Sequence, residues 1–158
     1  MNPLSIALSV LLVPVIFLLA QASAGPEPSP EMTPAEVVRT QVEALQHNDD
    51  PYPDAGIETT FRFASPSNQA ATGPVARFAQ MVKGPVYGDL IGASRAEYGP
   101  IAVDGDRAAQ RVTLTHADGR RATYVFELSI QEGGDYDGCW MTDGVVRRDP
   151  ALNGVTRI

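Results

Sequence analysis

The chain has 158 residues, 44% of them hydrophobic and 20% charged, which suits one globular domain. Against 12 Lys+Arg stand 19 Asp+Glu, giving a formal net charge of -7. Basic residues gather no further than the pairs Arg120-Arg121 and Arg147-Arg148, which argues against nonspecific nucleic-acid binding, since that needs clustered cations to displace counterions.

The first 24 residues read as a signal peptide. Leu4 to Ala20 is apolar apart from Ser5, Ser9 and Pro14, and Ala22-Ser23-Ala24 places small residues where a signal peptidase reads them. Cleavage before Gly25 makes the protein exported, periplasmic or secreted. The alternative is a membrane anchor formed by residues 4-20, although the run is short for a bilayer span. No Cys lies near the cleavage site, which disfavours a lipid-anchored form. Cys139 is the single cysteine, so an intramolecular disulfide is impossible.

Residues 25-32 hold three prolines and read as a stiff, extended linker. A single domain is expected over 33-148, with a tail at 149-158. Thr33-Pro34-Ala35-Glu36 starts a helix, with Thr33 as N-cap, Pro34 in the first position and Glu36 closing a capping box. Ala35, Val38, Val42 and Leu45 form its inward stripe. Asn48-Asp49-Asp50-Pro51 ends it. A short second helix is expected over Pro53-Ala64, with Ile57, Phe61 and Ala64 inward, and Ser65-Pro66-Ser67-Asn68-Gln69 as a break. A third helix starts at Pro74 with Val75, Phe78, Ala79 and Val82 on one side. Gly84-Pro85 interrupts it, and Val86-Ile91 adds a turn or two.

After Ala93 the period changes from helix to strand. Ala93-Tyr98 is a weak strand, and Ile101-Val103 leads into the Asp104-Gly105 turn. Arg107-His116 is the next strand, and Ala117-Asp118-Gly119 another turn. In Arg120-Gln131, Ala122, Tyr124, Phe126, Leu128 and Ile130 share one face. Glu132-Gly138 supplies turn residues, and Cys139-Val146 returns. Helices followed by a meander give an α+β fold, with N-terminal helices packed on a curved antiparallel sheet. That order is similar to the cone of the nuclear-transport-factor-2-like superfold.

Several residues carry candidate chemistry. Arg62 lies between Phe61 and Phe63, near hydroxyl and amide side chains, in a setting suited to a carboxylate or phosphate. In a cone, Tyr87, Tyr98, Tyr124, Phe126 and Trp140 can line a pocket. Tyr98, His116 and Asp143 are the conceivable proton handlers there. Asp135, Asp137 and Asp143 lack the third ligand position and closing Glu of a calcium loop, so no metal is expected. Cys139 has no local base and reads as core. The expected ligand-binding set is Arg62, Tyr98, His116, Tyr124, Trp140 and Asp143. No catalytic residue is assigned, and no cofactor.

Five stretches together resemble one family. They are Thr33-Pro34 with Glu36-Val37-Val38, Phe61-Arg62-Phe63-Ala64-Ser65-Pro66 with Asn68, Gly73-Pro74 with Arg77-Phe78, Tyr124-Val125-Phe126, and Cys139-Trp140-Met141 with Asp143. They are similar to the bacterial and plant family catalogued as domain of unknown function 4864, over about Pro30 to Val146. The resemblance implies domain boundaries and carries no activity to transfer.

Three functions are therefore weighed. The first is a non-enzymatic module of the cell envelope that binds a small anionic or apolar ligand, or a protein partner. The second is a cofactor-free lyase or isomerase using the same pocket. The third is a structural dimerisation module, with Val125 and Val145 on an exposed outer sheet face.

Overall fold

In the computed structural model, which describes residues 25-148, Thr33 opens the first helix as its sequence requires. The expected signal peptide and C-terminal tail lie outside the described residues. Helix α1 spans Pro34-Gln46. Its capping box is complete: Thr33 Oγ1 accepts the Glu36 N–H at 3.3 Å, and the Glu36 carboxylate accepts the Thr33 N–H at 2.7 Å. The buried face is Val37, Val38, Gln41, Val42 and Leu45, wider than the expected stripe because α1 is covered by a second helix as well as by the sheet.

Helix α2 (Ala55-Arg62) crosses α1 at Gly56. A Cβ there would sit 2.1 Å from the Ala44 carbonyl oxygen, so only glycine admits this approach. Helix α3 (Pro66-Thr72) occupies the stretch expected as a break. Ser65 caps it, taking the Asn68 N–H at 3.3 Å, and Pro66 suits the first turn. The Ser-Pro pair therefore starts a helix here rather than only ending one. Helix α4 (Val75-Val82) buries Phe78 and Val82, and the Phe78 and Phe61 rings stand 5.1 Å apart. A 3-10 turn, Gly88-Leu90, comes next.

The sheet is an antiparallel meander of β1 (Arg95-Asp104), β2 (Arg107-Thr115), β3 (Arg121-Ile130) and β4 (Trp140-Arg147), in that order. Among the described residues the fold is α+β: four α-helices, then four strands, with the helices packed on the sheet. The two pieces expected before Asp104 are one strand, whose register slips between Tyr98 and Ile101, where Gly99-Pro100 sits. On β2 and β3, Val112 faces Tyr124, Gln110 faces Phe126 and Ala108 faces Leu128, all on the core side.

One correction concerns β4. Gly144 lies opposite Glu127, and Thr142 lies opposite Leu128, so Asp143 is an extra residue. Such a bulge reverses the inside-outside parity of the residues beyond it. Val145 accordingly pairs with Phe126 and packs on the core, rather than joining Val125 on the outer face.

The helical and sheet halves meet at Thr142. Its N–H donates to the Phe63 carbonyl at 2.9 Å, and its carbonyl accepts the Ser65 N–H at 2.8 Å. The Asn68 amide donates to the same carbonyl at 3.1 Å, and the Gln41 amide donates to Oγ1 at 2.7 Å.

Candidate functional site

Only the upper part of the β4 edge is paired by the Phe63-Ser65 segment. Below it, the edge opens onto a cavity of about 470 Å³ roofed by α3 and α4. Leu45, Phe78, Val82, Leu90, Phe126 and Val145 supply apolar wall. Gln41, Thr60, Asn68, Thr72 and Thr142 supply neutral polar groups. Ala71 and Met81 are exposed lining residues at the mouth, and a methionine there can adapt to different shapes. An apolar cavity of several hundred Å³ with a few polar groups is the usual form of a small-molecule site.

The polar groups are largely engaged within the protein. Gln41 Nε2 donates to Thr142 Oγ1 and, at 3.2 Å, to the Val37 carbonyl. Thr72 Oγ1 donates to the Asn68 carbonyl at 2.8 Å, and Thr60 Oγ1 to the Gly56 carbonyl at 2.9 Å. Tyr87 closes one end, its hydroxyl donating to the Val145 carbonyl at 3.2 Å. That clamp covers a strand edge that would otherwise invite another strand.

Behind Tyr87 the wall is held electrostatically. Asp89 accepts from Arg120 at 2.5 Å and from Arg147 at 2.9 Å. Its backbone oxygen lies 3.0 Å from His116 Nε2. Arg147 also donates to the Pro85 and Val86 carbonyls at 3.3 and 3.2 Å. The segment from Pro85 to Leu90 is thereby tied to the ends of β2, β3 and β4.

The six residues expected at a ligand site do not gather in one place. Asp143 lines the cavity; the other five do not. Arg62 pairs with Glu27 at 3.1 Å and donates to the Pro26 carbonyl, so it fastens the N-terminal strap to α2. That strap lies against the domain, with Met32 on the core. Tyr98 lies beneath the Arg39 guanidinium, 4.6 Å from the ring centroid. Burial, and secondarily Glu43, push its hydroxyl pKa up against the opposing pull of Arg39. His116 belongs to the Asp89 cluster. Tyr124 is buried, donates to the Val86 carbonyl at 2.9 Å and has Arg147 over its ring at 5.8 Å. Trp140 is half-buried at the start of β4. The three conceivable proton handlers, Tyr98, His116 and Asp143, thus sit in separate surroundings. Tyr87 and Phe126 do line the cavity, as expected of a pocket on this face.

Cys139 is buried, and burial raises its thiol pKa, with Glu31 and Asp137 adding to the shift. The Asp137 carboxylate accepts the Gly133 N–H at 2.6 Å and closes its own turn. Among the described residues no group of three or more His, Cys, Asp or Glu is placed to hold a metal ion. Among them, too, no helix is long and apolar enough to cross a membrane.

Sequence reasoning missed Gln41, Asn68 and Thr142 on the cavity floor. Gln41 carried a signal, being a polar residue within the helical spacing of Val37, Val38, Val42 and Leu45. Asn68 and Thr142 become neighbours only through the tertiary fold.

Over residues 29-152 the sequence matches the family described as Domain of unknown function (DUF4864). No curated protein matches it.

Proposed function

The chain belongs to this family, and from that premise we propose that it is a non-enzymatic binding module for a small, largely apolar ligand, held between α3, α4 and the β4 edge. The carrying observation is the cavity itself: about 470 Å³, walled by aliphatic and aromatic side chains and entered past Ala71 and Met81. Among the described residues no Lys, Arg or His lines it, which favours an apolar ligand over an anionic one. Export to the cell envelope completes the reading and rests on residues 1-24. A native protein beginning at Gly25 supports export by cleavage, and one beginning at Met1 contradicts it.

The test uses N-phenyl-1-naphthylamine, a neutral probe that brightens in apolar surroundings, with the purified protein. The wild type takes up the probe. Ala71→Trp, an exposed substitution at the mouth, weakens uptake at least about tenfold while leaving the unfolding midpoint unchanged. A folded Ala71→Trp protein that binds the probe as well as wild type overturns the assignment to this cavity.

A further inference from the structure

Among the described residues Asp143 is the only carboxylate that lines the cavity, and the sole other ionisable group on its wall, the Tyr87 phenol, already donates to the Val145 carbonyl. We propose that the ligand is an apolar molecule bearing one cationic amine head, with its body under α3 and α4 and its head at Asp143. The inference rests on the cavity's being a binding site and names the chemical class that the cavity takes.

Three observations carry it. The first is position. The β4 bulge makes Asp143 the extra residue between Thr142 and Gly144, and bulges commonly re-aim side chains beside binding sites. Asp143 is exposed, so a charged head meeting it there stays hydrated and loses little solvation, while the body is buried. The second is the absence of competition. Asp143 also borders a shallow depression with Asp104, Arg107 and Glu127, yet no ion pair within 4.0 Å joins it to Arg107 or to any other described cation. In that depression Asp104 and Glu127 outnumber Arg107, and the chain as a whole carries -7, which draws cations toward Asp143.

The third is the state of the floor. Gln41 commits both amide hydrogens, one to Val37 and one to Thr142. Thr60 and Thr72 donate to helix carbonyls. An anionic head would thus find few free donors, no described cation on the lining and an acidic residue at its edge. A neutral head gains from Asp143 a hydrogen bond to the carboxylate but no ion pair. A protonated amine gains that bond and the attraction of opposite charges as well.

The experiment compares three compounds with one alkyl body: decylamine, decanol and decanoate, each displacing N-phenyl-1-naphthylamine at pH 7. At that pH the amine is cationic and the carboxylate anionic. The expected order is amine, alcohol, carboxylate, with the amine about fivefold tighter than the alcohol, as befits a partly exposed ion pair. Raising the salt concentration shrinks that preference and leaves decanol unchanged. Asp143→Asn brings the amine to the level of the alcohol without altering the alcohol. If decanol binds but decylamine binds no better, or if Asp143→Asn keeps the preference, this inference is overturned and the cavity reading stands. If neither the probe nor any of the three binds, both fall.

Discussion

The Gln41 amide donates to the Thr142 hydroxyl at 2.7 Å, and both side chains are almost fully buried, at 1% and 2% relative exposure. This bond joins the middle of α1 to the last strand. Thr142→Val removes the acceptor and leaves a buried amide hydrogen unpaired, which costs about 1-3 kcal/mol in urea unfolding. Gln41→Leu combined with Thr142→Val costs less than the sum of the two single changes, because the pair is removed together. Strict additivity would show that the two groups are not coupled.

Gly56 predicts a steric effect. An added Cβ would meet not only the Ala44 carbonyl oxygen but also the Asn48 Cα, at 2.9 Å. These are backbone atoms, so α2 must move away from α1. Gly56→Ala is expected to cost about 1-3 kcal/mol or more despite the higher helix propensity of alanine. A stability gain in denaturant titration would show that the helices can separate freely at this crossing.

Acid should weaken the fold. Lys83, 2.6 Å away, and then Asn48 hold the Asp54 carboxyl below its ordinary value. The Thr33 backbone N–H and hydroxyl do the same for Glu36. In the unfolded chain these groups return to about 3.8 and 4.5, so near those values the unfolded state binds more protons. Their contribution is therefore present above about pH 4.5 and lost as pH falls through the lower folded values. The urea midpoint should drop between pH 6 and pH 3, and Lys83→Met should make that drop shallower. An equal drop in both proteins would rule out the Asp54-Lys83 pair as a source.

What was legible in the sequence was what local chemistry decides. The Thr33-Pro34-Glu36 box marks the start of α1 because its bonds span only one turn. The alternation of Tyr124, Phe126 and Leu128 marks β3 because one face of that strand is covered. Helix α3 was hidden because Ser65-Pro66 reads equally as a stop and as a cap with proline in the first turn. The side of the sheet on which Val145 falls was hidden by one residue: Asp143 shifts the register, and Gly144, a glycine inside a strand pattern, was the one signal of a bulge there. The candidate site suffered most. Arg62 looked unattached until Glu27 and Pro26 were placed beside it. The cavity floor draws Gln41, Asn68 and Thr142 from distant parts of the chain.

The convergence on Thr142 also bears on how the protein is made. Its partners lie far upstream, Gln41 by 101 residues and Asn68 by 74. A ribosome delivers the helices first, so they emerge with their apolar faces bare and with no strand to receive them. The link between the two halves forms only once residue 142 has cleared the exit tunnel. Until then the nascent chain lacks the strand that closes the domain, and such long-range closure makes folding a late event.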